Sequence, residues 1–242
     1  DTAPYDSGSY ASATTYVTGM ACVRACEELR GKIVRQGAKM LELDESEVEF
    51  DGARVFSLAE PARAVSLSDI AYSGQCGCSD VLSATVSHSS PVSPPPFMAG
   101  AAEVDVDPET GHVTLVDYVA DVDCGTPINP HLARVQTEGG IVQGIGMALY
   151  EDIVYAADGT NLSNSFMQYK IPSRLDIGTV RVEFESSYEP TGPFGAKSIG
   201  EVVINTPSPA IADAVARATG VRVRTLPITA EKIVRGMMGQ GK

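Results

Sequence analysis

The chain of 242 residues carries 31 acidic against 18 basic side chains, a formal net charge of −13, and 43% hydrophobic residues. That length allows one large or two small domains with a buried interior, and the acidic balance argues against unaided binding to nucleic acid or anionic lipid. No apolar run reaches the roughly 20 residues of a membrane span, and the polar opening DTAPYDSGSY lacks the character of a signal peptide.

Along the chain, apolar residues recur at helical spacing from Tyr16 to Leu43, predicting a long helix with a break near Gly37. Cys22 and Cys26 lie four apart on it, as buried free thiols acting as small hydrophobes would. Cys76-Gly77-Cys78 is one residue too tight for a CxxC site, so all five cysteines are expected as free thiols in a reducing, cytoplasmic setting. VEFDGARVF (48–56) predicts two strands joined at Asp51-Gly52, and SLSDI (66–70) a helix start at Ser66 or Ser68. The proline-rich 87–100 can continue no regular element and predicts a lobe boundary or an extended arm.

After it, 99–125 reads as two alternating strands around the turn Asp107–Gly111. An apolar helix punctuated by glycines is predicted from Asn129 to Tyr150, and a strand over 179–187. Residues 208–220 predict an amphipathic helix ending at Gly220, 221–227 a strand, and 229–238 a last helix capped by Thr229. The class is α+β (mixed α/β), in two lobes, 1–95 and 96–242.

Four stretches use small residues where a simple core would use large ones. DSGSYASATT (6–15) precedes a helix and could bring backbone N–H groups close to an anion, or could simply be a serine-rich capping loop. DCGTPINP (123–130) taken alone is ordinary chain reversal. In VQTEGGIVQGIGMALYE (135–151), four glycines cost about 1 kcal/mol each relative to alanine; close approach by a ligand, with Gln136 or Gln143 offering an amide, and tight helix packing explain them equally well. GPFGAKSIGE (192–201) carries Lys197 and Glu201 among three glycines and a proline. Flanking glycine and branched residues would desolvate Glu201 and raise its pKa, fitting a general base; a structural ion pair with Lys197 fits equally.

In this order the stretches resemble the molybdenum-binding subunit of the xanthine dehydrogenase and aldehyde oxidase family. ASATTYVTGMA (11–21), DVDCGTPINPHLARVQTEGGIVQGIGMALYE (121–151), GAKSIGE (195–201) and LPITAEKI (226–233) carry the likeness. The resemblance implies a two-lobed domain binding molybdenum–molybdopterin, in the plain or the cytosine dinucleotide form. Its second lobe would hold the pterin-contacting helix and the catalytic loop. It implies hydroxylation of an aromatic N-heterocycle, of nicotinate or purine type, or of an aldehyde, with oxygen from water. Glu201 would deprotonate a metal-bound hydroxyl while hydride passes to a sulfide or selenide on the metal, and electrons leave through 2Fe–2S clusters to FAD. Ala11 falls beside the metal, with Ser12, Ala13 and Thr14 as donors to the cofactor. Leu132, Gln136, Lys197 and Ser198 are further expected cofactor contacts.

The family's complete subunit is several times longer, and nothing here resembles its N-terminal part, the iron–sulfur clusters or the FAD domain. A fragment, or a naturally split subunit as in the nicotinate dehydrogenases, is therefore expected. Its partners would be a larger molybdopterin-binding half-subunit, an iron–sulfur subunit and an FAD subunit. The loop YASATT also departs from the glycine- and arginine-containing form of many members. The alternative is a cofactor-free structural or assembly partner of the same fold. A stand-alone hydrolase lacks a convincing nucleophile or metal set, since His88, His112 and His131, which would have to supply part of one, read as surface residues.

Overall fold

The computed structural model describes residues 5–6, 8–76, 81–185 and 187–240, so Cys78 lies outside the described residues. Helices and strands are mixed throughout, as the α+β reading expects. The chain divides into two compact units: Val17–Pro91, and the chain up to Tyr16 together with Val92–Lys242. The sequence places 1–95 in one lobe; here the residues before Val17 belong with the later unit. The reason is tertiary: the Tyr16 hydroxyl lies 2.6 Å from Thr191 Oγ1, a contact invisible to local pattern.

The unit Val17–Pro91 packs one long helix, α1 (Gly19–Leu41), on an antiparallel sheet of β1 (Val48–Phe50), β2 (Arg54–Ser57) and β3 (Ala64–Ser66). A second helix, α2 (Leu67–Gln75), starts at Ser66, whose Oγ accepts the Asp69 N–H at 3.1 Å. The expected break at Gly37 is absent. A Cβ there would come within 2.5 Å of the Val55 side chain, so Gly37 brings an unbroken helix onto β2. Ile33, Leu41, Val48, Val55 and Ile70 form the core. Cys22 and Cys26 are exposed, not buried as their helical spacing suggests. Both ring nitrogens of His88 are buried without a partner among the described residues, so this histidine is not the surface residue expected. Burial, then the Arg24 charge, lowers its pKa.

The larger unit is built on β4 (Phe97–Val106), β5 (Val113–Asp123) and β6 (Thr179–Phe184). β4 and β5 are antiparallel and β5 and β6 parallel, with α3 (Pro130–Leu149) in the crossover. The turn between β4 and β5 is local chemistry: Asp107 Oδ1 accepts the Glu109 N–H at 2.8 Å. In β5 the buried positions are Val113 and Leu115, then Tyr118, Ala120 and Val122. The alternation skips at Val116, where the pairing passes from Val104↔Leu115 to Glu103↔Asp117, as one bulged residue requires.

Behind the sheet lie α3, a short α4 (Val202–Asn205), α5 (Pro207–Thr219) and α6 (Ala230–Gln240). Their apolar faces enclose Ile141, Ile145, Val182, Ile211, Val215 and Ile233. The strand expected over 221–227 does not form. Its alternating valines pack instead: Val221 fills the space beside Gly236, and Val223 lies against the main core.

Candidate functional site

β5 ends at Asp123, and the chain turns away through Gly125 at φ 68°. The loop 192–201 lies along this exit: the Lys197 N–H donates to Cys124 O at 2.8 Å and the Thr126 N–H to Gly195 O at 2.8 Å. A Cβ on Gly125 would stand 2.9 Å from Lys197 N, so the two segments touch only because glycine is there. Asn129 then caps α3, its Oδ1 accepting the His131 and Leu132 N–H groups at 3.1 Å each. Because Asn129 occupies the Leu132 N–H, what Leu132 offers a ligand is its 66%-exposed side chain.

The loop carries one charged pair. Lys197 Nζ lies 2.6 Å from Asp123 Oδ2, with the lysine side chain 10% exposed. The Ser187 hydroxyl donates to Asp123 Oδ1 at 2.5 Å and the Gly125 N–H at 3.0 Å. Burial pushes the Asp123 carboxyl up, but the hydrogen bonds from Lys197, Ser187 and Gly125 together outweigh it and hold the group below its ordinary range. The lysine partner is thus Asp123, and the ion pair between Lys197 and Glu201 does not form.

Ala11 and Ser12 both sit in the left-handed region, at φ 49° and 56°. Such strain costs on the order of 1–3 kcal/mol per non-glycine residue and clusters at ligand clamps. Ser12 reaches the other loops: a Cβ on Gly200 would lie 2.9 Å from Ser12 Oγ and 3.8 Å from Gln136 Nε2. Three stretches far apart in sequence therefore converge at Gly200, and Glu201 follows directly. Beside them is a cavity of about 350 Å³, lined among others by Thr15, Cys124, Leu132, Gln136, Lys197 and Ile199. Each of the four stretches picked out in the sequence contributes to its wall or to the contact at Gly200.

The expected site residues are distributed unequally. Leu132, Gln136 and Lys197 line the cavity, and Ser12 touches Gly200 at its edge. Ala11 and Thr14 are exposed, Ala13 and Ser198 half-buried, and none of these four lines the cavity wall. Glu201 is exposed, so the burial expected from its apolar neighbours is not supplied by this chain. Asp123, Cys124, Thr15 and Ile199 lie in three of the four stretches but carry no individual signal there, beyond the position of Asp123 at the end of a predicted strand, before Cys-Gly.

The profile of the molybdopterin cofactor-binding domain matches residues 1–178. The chain belongs to that family, in its xanthine dehydrogenase branch. This molybdopterin-binding domain is 37% identical over 242 residues to the probable hypoxanthine oxidase XdhD of Escherichia coli (strain K12), covering 98% of the chain and 25% of that protein. It is 32% identical to the 6-hydroxypseudooxynicotine dehydrogenase complex subunit gamma of Paenarthrobacter nicotinovorans, covering 97% of the chain and 31% of the relative. Among solved structures, Cu,Mo-CO dehydrogenase in its carbon monoxide reduced state superposes with a TM-score of 0.84 at 26% identity, over 99% of the chain and 31% of that protein. The domain thus spans about a quarter to a third of the proteins it matches.

The residues present fit a molybdopterin group. The strained Ala11-Ser12 backbone, the space that a Cβ on Gly200 would fill, and the exposed Gln136 amide meet at one rim. The adjoining cavity is of the size small-molecule sites use, roughly 300–1,000 Å³.

Proposed function

We propose that this domain forms one wall of the active site of a molybdenum hydroxylase, acting on an aromatic N-heterocycle of nicotinate or purine type with water as oxygen source. The observation that carries the proposal is the convergence at Gly200 of Ser12, Gln136 and the loop ending in Glu201. Bound molybdenum–molybdopterin would supply the two-electron oxidant and the oxygen derived from water. The chain's own residues would hold the group and move a proton. Ser12 and Gln136 orient it by hydrogen bonds, with Ala11, Ala13, Thr14, Leu132 and Ser198 as further contacts. A Glu201 Oε atom accepts the proton of the attacking oxygen, which general-base catalysis makes worth ~10²–10⁴-fold.

The substrate class is supported by the relatives' names, since hypoxanthine is a purine and 6-hydroxypseudooxynicotine a pyridine derivative. The cytosine dinucleotide form of the cofactor belongs to the same proposal. So do an iron–sulfur subunit, an FAD subunit and a larger molybdopterin-binding half. The domain's small share of its relatives' length, and the naming of one relative as a complex subunit, support those partners.

The test is Glu201→Gln in the assembled complex, with turnover normalised to bound molybdenum and a purine, a pyridine carboxylate and an aldehyde as substrates. The expected result is unchanged molybdenum and a loss of ~10²-fold or more in normalised turnover. Near-wild-type normalised turnover removes Glu201 from the chemistry. Activity confined to the aldehyde overturns the substrate class, and an assembled complex without molybdenum favours a cofactor-free assembly partner.

A further inference from the structure

We infer that Lys197 is a positioning residue: through the half-buried pair with Asp123 it pins the loop that delivers Glu201, and it does not itself grip the cofactor. The inference rests on the proposed function for the role of Glu201, and on geometry alone for the pinning.

An ammonium group has three protons to place, and here two of them meet protein acceptors while an aromatic ring faces the charge. Asp123 Oδ2 lies at 2.6 Å, the Pro95 carbonyl oxygen at 3.3 Å, and the Phe97 ring centroid at 5.6 Å. These partners stand at the start of β4 and the end of β5, so one side chain ties the loop to two strands of the sheet. The Asp123 carboxylate is itself held by Ser187 and the Gly125 N–H, so the anchor is fixed before the lysine reaches it. The Lys197 backbone N–H adds a rung to Cys124 O. Although Lys197 lines the cavity, its ammonium is turned to these contacts.

The loop needs such a pin. Gly192, Gly195 and Gly200 give it more backbone freedom than an ordinary loop. Within it Phe194 sits at φ 53°, a left-handed conformation that a non-glycine residue keeps only where its surroundings enforce it. Among the described residues, Lys197 is the only residue of 192–201 that bonds the end of β5 and the chain just past it through both side chain and backbone. Three residues further on, Gly200 meets Ser12 and Gln136, and Glu201 follows. Releasing the centre of the loop lets this end drift, and a shift of about 1 Å at a reacting group can cost ~10²-fold in rate. A charged pair suits the task because its partner is specified, whereas an apolar contact could slide.

The experiment uses the assembled complex and compares Lys197→Met, Asp123→Asn and the double variant. Three quantities are read: amide hydrogen exchange in peptides covering 192–201 and 207–219, molybdenum per complex, and turnover per molybdenum. In Lys197→Met, exchange over 192–201 is expected to rise about tenfold or more while 207–219 stays as in the wild type. Turnover per molybdenum should fall ~10²-fold. Asp123→Asn, which keeps shape and an acceptor oxygen, should move both readouts the same way and serves if Lys197→Met fails to assemble. The double variant should match the single variants, since the pair acts as one unit.

Unchanged exchange over 192–201 in both single variants overturns the inference. So does loss of molybdenum with unchanged loop exchange and unchanged turnover per molybdenum, which would make Lys197 a direct cofactor contact. Exchange is read whether or not Glu201 is the base, so a failed Glu201→Gln test sinks the proposed chemistry without touching the pinning result.

Discussion

Replacing Gly139 and then Gly140 by alanine perturbs one helix at adjacent positions with opposite expected signs. In a helix interior alanine is favoured over glycine by about 1 kcal/mol. At Gly139 an added Cβ meets nothing within 4 Å among the described residues, so most of that gain should appear as stability. For a domain of this size it raises Tm by about 2–4 °C. At Gly140 the same atom falls on a Val203 methyl and lies 3.1 Å from Val203 Cβ. Val203 is fully buried in α4 and cannot turn away. Overpacking costs about 1–3 kcal/mol, which exceeds the propensity gain and leaves a net loss of about 1 kcal/mol with a matching fall in Tm. Because Val203 follows Glu201 by two residues, Gly140→Ala should also lower turnover per molybdenum, while Gly139→Ala should not. Calorimetric melts of the two variants and the wild type decide the sign. Equal shifts in one direction would refute the packing argument.

Two further outcomes are expected. Asp123 has a folded-state pKa held below its ordinary value, so its stabilising contribution is present above the unfolded value near about pH 4 and lost as pH falls through the folded one. Melts between about pH 2 and pH 7 should show Asp123→Asn less stable at neutrality and flatter in acid; parallel profiles would count against the pair as described. The second concerns solution behaviour: in the segment 166–175, Phe166 is 83% exposed, Met167 78% and Leu175 96%, apolar side chains of the kind that an interaction surface covers. The chain expressed alone should self-associate, and light scattering that shows a stable monomer would remove that segment as a docking surface.

What the sequence disclosed follows the range of the interactions. The β4–β5 hairpin was legible because Asp107 makes its own turn, and the start of α3 because Asn129 caps the helix it precedes. The four glycines of α3 were legible only as a question. The structure answers Gly140 and Gly144 with α4 and α5, Gly146 with Glu151, and leaves Gly139 open. Gly37 misled because a helix-weakening residue there serves close packing on Val55. Val221 and Val223 misled because alternation marks two faces but not a hydrogen-bonded neighbour. For Lys197 the sequence offers a pairing with Glu201, four residues away, as one of two equal readings; its partner is Asp123, 74 residues back. No local pattern carries a pairing of that span.

The exposure of Glu201 follows from how the loop is built. A carboxylate that works as a base needs a fixed position and a surrounding that makes its proton affinity useful. The chain supplies the first: Gly200 settles on Ser12 and Gln136, and Lys197 holds the loop's middle to Asp123. It does not supply the second, because among the described residues Glu201 is exposed. Burying Glu201 within the domain would also require a cation or several donors to offset the cost, and Lys197, the cation of its own loop, already serves Asp123. Under the proposed function, desolvation arrives only when cofactor, substrate and the rest of the subunit close over the rim. A base kept exposed until then forms no ion pair that the reaction would have to break.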